Sequence, residues 1–231
     1  MLWHPPILAY HRVHPDGATD TPTIRPEIFE KQMAMLAQRW KPVTLLDLVI
    51  RMEEDQPFDR REVAVTFDDG TEDNFTHAYP ILKRHRVPAT IFMITDNIGR
   101  PGFLNKNQIA EMAEQGITFG SHTEHHAYLP KLPIDRVREE LIGSRKKLQA
   151  LGLAAELFSY PAGGFSKEIA QAAQDAGYRS ACTTNRGFQR FPVDRWALRR
   201  ITMHANATTA LGIWLRCCGF YGLNRRLRSP R

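Results

Sequence analysis

A short stretch, residues 63–70, constrains the fold of this chain because it runs from an apolar segment directly into two acids. Its sequence is VAVTFDDG, and none of the first five residues favours water. A strand that is apolar on both faces is typical of parallel sheets covered by helices. Buried carboxylates are normally paired, hydrogen-bonded or bound to metal, so Asp68 and Asp69 are candidate functional residues. A simple Asp-Asp-Gly turn is the alternative from this stretch alone.

Strand-like and helix-like segments alternate along the whole chain, with no internal repeat. The predicted strands cover residues 7–10, 43–45, 63–67, 89–94, 117–120, 157–160, 178–183 and 198–202. The first predicted helix begins near residue 26. The other predicted helices cover residues 45–52, 75–82, 107–114, 134–151, 167–176 and 207–220. This alternation predicts one α/β domain over 1–231, with a parallel sheet that is either open or closed into a barrel. The candidate polar groups follow strands, where parallel barrels have their active sites.

The composition, 42% hydrophobic and 24% charged residues among 231, is that of a soluble globular protein. The net charge of +6 owes much to arginines near the end of the chain. No nucleic-acid motif accompanies them, so we expect no nucleic-acid partner. The first residues lack the features of a signal peptide, and three cysteines do not make a disulfide framework. We therefore expect a cytoplasmic protein.

The last segment, residues 207–231, combines a mostly apolar helix with an arginine-rich tail. Packing of this helix on the barrel is the favoured interpretation. The alternative is peripheral contact with a membrane interface, where tryptophan, tyrosine and arginine are well placed. In that case the substrate would be a lipid-linked saccharide at the cytoplasmic face.

Three histidines occur within five residues, directly after the predicted strand at 117–120. The sequence of residues 121–126 is SHTEHH. His122 and His126 are four residues apart, which would place both imidazoles on one side of a helical turn. Two imidazoles and a carboxylate form a divalent-cation site that leaves coordination positions open. Asp69 is the natural third ligand, and His125 is the alternative to His126.

Together, TFDDG at residues 66–70 and HTxxH at residues 122–126 resemble motifs of the polysaccharide deacetylases of carbohydrate esterase family 4. These proteins share the NodB-homology domain. The resemblance implies an α/β fold, a distorted (β/α) barrel with about seven strands. It also implies metal-dependent removal of acetyl groups from N-acetylated oligo- or polysaccharides, with carbohydrate as the substrate.

The same resemblance implies roles for the motif residues. Asp69, His122 and His126 would hold the metal, and Asp68 would be the general base that takes a proton from the attacking water. Zinc is the metal that the resemblance implies most directly. The same ligand set also accepts Co²⁺, Ni²⁺ or Fe²⁺.

The stretch FSYPAGG, residues 158–164, resembles the family's third motif, in which a backbone N–H after the proline faces the oxyanion. Tyr160, Pro161 and Ala162 are therefore the candidate substrate and oxyanion residues, with the N–H of Ala162 as donor. Many members have tyrosine at the position of Ala162. Alanine keeps the N–H and loses the ring.

A common form of that motif also has an arginine near its start, paired with the base. Ser159 stands there in this chain. Arg200 is the predicted replacement partner of Asp68, because it belongs to a late strand that faces the same end of the barrel. An exposed arginine without this role is the alternative.

A general acid is still needed to protonate the leaving amine. The stretch ILAYHRV, residues 7–13, resembles a permuted branch of the family in which the first strand supplies the acid. That branch includes exopolysaccharide deacetylases acting on poly-N-acetylglucosamine. The resemblance favours His11, and His204 is the alternative, because most members have their acid near the C-terminus.

Two other functions compete with an active deacetylase. Related domains resemble metal-dependent hydrolases of small cyclic amides or imides, which keep the fold and change the bond that is cleaved. A carbohydrate-binding pseudoenzyme is the non-catalytic alternative. The presence of a base, three candidate ligands and a candidate acid favours an enzyme, because binding alone needs none of this set.

Overall fold

The computed structural model describes residues 4–16, 22–186, 189, 192–203 and 212. The strands are β1 (Ile7–Tyr10), β2 (Arg12–Val13), β3 (Thr23–Ile24), β4 (Lys41–Val43), β5 (Glu62–Phe67), β6 (Ala89–Met93), β7 (Thr118–Ser121), β8 (Leu157–Ser159), β9 (Ser180–Arg186) and β10 (Leu198–Thr202). The α-helices are α1 (Pro26–Arg39), α2 (Leu45–Glu53), α3 (Tyr79–His85), α4 (Lys106–Glu114), α5 (Ile134–Gln149) and α6 (Lys167–Asp175).

Seven parallel strands close into a barrel. Their order is β1-β10-β9-β8-β7-β6-β5, and β5 pairs back with β1. Strand β4 pairs in parallel with the first half of β5. Because β1 lies between β10 and β5, the first strand of the chain completes the ring. The predicted seven-stranded (β/α) barrel is thus confirmed.

The interior of the barrel changes from apolar to polar toward the carboxyl ends of the strands. One buried apolar cluster includes Ala64, Leu157 and Leu198. Two residues further along the same strands, where side chains return to the same face, lie the buried residues Thr66, Ser159 and Arg200. The outward face of β5 is apolar, because Val65 and Phe67 pack in a cluster with α1. A strand that is buried on both faces therefore delivers Asp68 to the polar end of the barrel.

The predicted helix over 75–82 is divided into two parts. Residues Asn74–Ala78 form a π-helical turn, and α3 begins at Tyr79. Pro80 has no N–H to bond within the preceding turn, which is the physical reason for the break. Isolated π-helical turns are frequent at functional sites, and this one begins at Asn74, shortly after the Asp-Asp-Gly turn. The two-residue strands β2 and β3, which pair with each other, were not predicted.

His204, the basic tail and, apart from residue 212, the predicted helix over 207–220 lie outside the described residues. Among the residues that are described, none of the helices is both long and apolar enough to cross a bilayer.

Candidate active site

Asp68 and Asp69 follow β5 directly, in a turn that lies in an unusual backbone conformation. Asp69 has φ 73° and Gly70 has φ 67°, both in the left-handed region. The left-handed backbone favours glycine at residue 70, and a Cβ there would also lie 2.4 Å from the Met93 sulfur, which would have to move. Left-handed backbone at a non-glycine residue costs about 1–3 kcal/mol and is concentrated at functional sites.

Asp68 is held by Arg200 in a two-pronged ion pair. The arginine Nη1 and Nη2 each donate to one carboxylate oxygen, at 2.7 Å. Both side chains are almost completely buried, with 1% of Arg200 and 2% of Asp68 exposed. Nη2 also donates to the Ser159 hydroxyl at 2.8 Å, and Nη1 to the Thr66 hydroxyl at 3.2 Å. The small side chain of Ser159 thus leaves room for the arginine that arrives from β10, and the predicted Asp68–Arg200 pair is present.

The two adjacent acids differ in their electrostatic environment. Burial by itself raises the pKa of Asp68, but the charge and hydrogen bonds of Arg200 outweigh burial and hold that pKa below its usual range. Burial, and then the negative charge of Asp68, raise the pKa of Asp69 to about 6. Asp68 is therefore the carboxylate that stays charged, and Asp69 is the one that gains from a neighbouring cation.

Asp69, His122 and His126 converge, with one ligand atom from each residue lying within 4.8 Å of the others. The Nε2 atoms of His122 and His126 lie 3.7 and 3.6 Å from Asp69 Oδ1. Zinc bonds of about 2.0–2.2 Å in a tetrahedron would place ligand atoms about 3.4 Å apart, which agrees with this geometry.

The buried imidazole of His122 is oriented for metal binding. Its Nδ1 donates to the Ser159 carbonyl oxygen at 2.7 Å, which leaves the lone pair of Nε2 free for a cation. Burial also lowers the pKa of His122 to about 4, so the ring is neutral at neutral pH. The residues present therefore fit a divalent metal ion.

An irregular loop, not the predicted helical turn, brings His122 and His126 to the same side. Residues 122–128 form an irregular loop, and Thr123 and His126 have φ 66° and 59°. The helical explanation was wrong, because the loop reverses through left-handed residues instead. His125 points away from Asp69 and contacts Glu140 and Asp96.

The candidate oxyanion loop is a short 3₁₀ turn, Pro161–Gly163. Ala162 has φ 52°, is exposed, and accepts a hydrogen bond on its carbonyl from the Thr184 hydroxyl at 3.0 Å. Pro161 is buried.

Tyr160 does not line the site, contrary to its prediction as a substrate residue. Its side chain is completely buried, and its hydroxyl donates to the Trp196 carbonyl at 3.0 Å. The ring stacks on Phe165. Tyr160 thus belongs to the core beneath the loop, because the strand alternation at β8 turns it outward while Ser159 faces the barrel interior.

His11 follows β1 and lies beside the Asp68–Arg200 pair. Its Nε2 is 4.0 Å from Asp68 Oδ2, and the side chain is 21% exposed. The His11 carbonyl accepts a hydrogen bond from the Asn74 side chain at 2.9 Å. The buried carboxylate of Asp73 accepts from Arg12 Nε at 2.8 Å and from Val13 N–H at 3.0 Å.

Asp73 and Asn74 were missed in the sequence, although they hold the backbone at His11 and just after it. The available signal was the continued run of polar residues after Gly70, TEDN. Their partners lie about sixty residues away in the chain, so no local pattern indicated them.

Comparison with known proteins gives consistent results. The family model described as polysaccharide deacetylase matches residues 55–181. The YxkH protein of Bacillus subtilis (strain 168) is 32% identical over 198 residues, which cover 85% of this chain and 70% of YxkH. A poly-beta-1,6-N-acetyl-D-glucosamine N-deacetylase of Staphylococcus epidermidis is 36% identical over 101 residues. That match covers 41% of this chain and only 35% of the relative.

A solved structure of similar shape is the Streptococcus pyogenes deacetylase PplD in complex with acetate. It superposes with a TM-score of 0.86 and 25% identity, covering 94% of this chain and 99% of PplD. The similarity therefore extends over almost the entire barrel.

A parallel (β/α) barrel with polar and ionisable side chains gathered at the carboxyl ends of its strands has the architecture of a barrel enzyme. The family model matches more than half of the chain, and YxkH resembles most of it. The chain belongs to the polysaccharide deacetylase family.

Proposed function

We propose that this protein is a metal-dependent N-deacetylase of glycans that contain N-acetylglucosamine. The observation that carries the proposal is the convergence of Asp69, His122 and His126 beside the buried Asp68–Arg200 pair. The Staphylococcus epidermidis relative, named for N-deacetylation of poly-N-acetylglucosamine, supports the substrate class. The acetate in the PplD complex is the product that such a reaction would release.

The proposed chemistry is hydrolysis of an acetamide to acetate and an amine. A divalent cation held by Asp69, His122 and His126 would polarise the acetyl carbonyl and lower the pKa of the attacking water. Asp68, kept charged by Arg200, would accept the proton of that water. Because Arg200 donates to both oxygens of Asp68, the carboxylate is held in one orientation, and each oxygen keeps a lone pair with which it could accept that proton.

Two further groups complete the proposed mechanism. The N–H of Ala162 would donate to the oxyanion that forms when water attacks the carbonyl carbon. His11 would donate a proton to the nitrogen as the C–N bond breaks. Its Nε2 lies 4.0 Å from Asp68, so base and acid stand on neighbouring sides of one site. In this proposal the acid comes from the residue that follows the first strand, as the resemblance to the permuted branch implies.

We expect acetate release from N-acetylglucosamine oligomers by the metal-loaded protein and none after chelation, with recovery on adding zinc or cobalt. The measurement is enzymatic detection of acetate, with peracetylated xylan in parallel to compare O-acetyl with N-acetyl substrates. The absence of acetate from any saccharide, despite one bound metal per chain, would contradict the proposal. A ring-opened product from a cyclic imide would then support the alternative hydrolase.

His11→Ala should lower kcat on N-acetylglucosamine oligomers by about 10²–10⁴-fold, because the amine leaves poorly without a proton. The loss should be much smaller on 4-nitrophenyl acetate, whose leaving group needs no protonation. His204→Ala is the matched control and should stay active. Equal losses on both substrates, or a larger loss in His204→Ala, would contradict the assignment of His11 as the acid.

A further inference from the structure

We infer that one face of helix α5 holds the loop carrying His122 and His126 in its metal-binding shape, and that Glu140 is the main positioning residue. This inference rests on the proposed metal centre. It concerns residues that do not touch the metal site themselves but act through the backbone between the two histidines.

Glu140 makes three contacts, all of them to the two residues that precede His126. Its Oε2 accepts the N–H of Glu124 at 2.9 Å and the N–H of His125 at 3.0 Å. Its Oε1 lies 2.7 Å from His125 Nδ1. The side chain is only 8% exposed. A carboxylate can be buried to this extent when its hydrogen-bond partners compensate for the lost water. The contacts to this loop provide that compensation.

Three other residues of α5 support the same loop: Gly143 and Lys147 approach it directly, and Ser144 contacts Ser121 at the end of β7, just before it. With Glu140 they form a polar stripe at helical spacing i, i+3, i+4 and i+7, made of Glu140, Gly143, Ser144 and Lys147. The Ser144 hydroxyl is 2.7 Å from the Ser121 hydroxyl, which in turn accepts the N–H of Thr123 at 3.2 Å. Lys147 pairs with Glu124.

Gly143 shows how closely the helix and the loop approach each other. A Cβ at this position would lie 2.4 Å from Glu124 Oε2. An alanine here, which a helix interior otherwise favours, would force the Glu124 side chain to move away from the helix. The polar stripe of α5 is thus shaped to receive this loop.

The loop needs such support because its own conformation is unfavourable. Thr123 and His126 both have left-handed backbone, and neither a helix nor a strand includes residues 122–128. The His122 ring is held independently by the Ser159 carbonyl, whereas the His126 side chain is 45% exposed. Removal of Glu140 should therefore release His126 first and weaken metal binding while the barrel stays folded.

The test is zinc affinity, measured by competition with a chromophoric chelator, together with thermal unfolding of the metal-free proteins. Groups that orient metal ligands typically contribute about 10–100-fold to affinity. We expect about 100-fold weaker binding for Glu140→Ala and about 10-fold for Glu140→Gln, because an amide presents an N–H₂ group to one of the converging donors. Glu139→Ala is the matched control, since the neighbouring Glu139 is exposed and pairs with Arg136, and it should bind zinc like the wild type.

The outcomes separate this inference from the proposed function. A wild-type chain that binds no zinc would overturn the metal centre itself. If the wild type binds zinc, a folded Glu140→Gln protein with wild-type zinc affinity would overturn the positioning role of Glu140. If Glu140→Ala does not fold, the zinc affinity of Glu140→Gln alone tests that role. Partial recovery of the activity of Glu140→Gln by excess zinc would support the positioning role.

Discussion

Asp68→Asn should lower kcat for deacetylation by about 10²–10⁴-fold, because the amide has no charge with which to take a proton from water. Zinc binding should remain close to that of the wild type, because Asp69, His122 and His126 are retained. The measurements are steady-state acetate release and chelator competition on the same preparation. Wild-type kcat in a metal-loaded Asp68→Asn protein would contradict the assignment of Asp68 as the base.

The same substitution leaves the charge of Arg200 buried without its anionic partner, so folding must be separated from chemistry. Breaking one side of a buried ion pair costs about 3–5 kcal/mol, whereas replacing both partners by neutral groups is often close to neutral. The double variant Asp68→Asn/Arg200→Met is therefore the control. It should recover most of the lost stability and none of the activity.

The strands of the barrel could be predicted closely because their apolar runs are short and are bounded by polar or turn residues. Strands β1 and β10 begin and end at the predicted residues. The two-residue strands β2 and β3 could not be predicted, because they are too short to show any periodicity. The break before α3 could be anticipated only as a bend at Pro80, since the proline shows where a hydrogen bond is lost but not how the backbone responds.

The candidate site could be predicted in part from local motifs and in part from the resemblance. Asp69, His122 and His126 could be predicted as one cluster because their motifs directly follow two predicted strands. In a parallel barrel the carboxyl ends of the strands lie at the same end. Arg200 could not be predicted from a local motif, because it is 132 residues from Asp68. It was predicted only because Ser159 stands where the family commonly has an arginine, so that another arginine had to pair with Asp68.

Glu140, Asp73 and Asn74 show what a single sequence cannot indicate. Each is a polar residue beside or within a helical segment, where exposure to solvent is the usual expectation. Each is buried because it bonds backbone N–H or C=O groups of another segment of the chain. Every residue type carries these groups, so the sequence does not indicate such partners. Tyr160 shows the converse error, because a motif position suggested substrate contact while strand alternation directed the ring into the core.

Arg200→Met should give the largest loss of stability among the site variants, about 3–5 kcal/mol in the free energy of unfolding. Methionine fills much of the space of the arginine stem. The loss of stability should therefore be caused mainly by the buried charge of Asp68, which has lost its partner. Thr66 and Ser159 also lose the donors that now reach their hydroxyls. Denaturant unfolding at neutral pH is the measurement.

Arg200→Lys separates the charge of the arginine from its shape. A lysine keeps the positive charge but cannot donate two parallel hydrogen bonds to one carboxylate. We expect a loss of stability between those of the wild type and Arg200→Met, with kcat lowered because Asp68 is no longer held in one orientation. Arg199→Lys is the matched control on the same strand, since Arg199 is only partly buried, and it should change neither quantity appreciably. If Arg200→Met unfolds at the same denaturant concentration as the wild type, the ion pair is not what stabilises this end of the barrel.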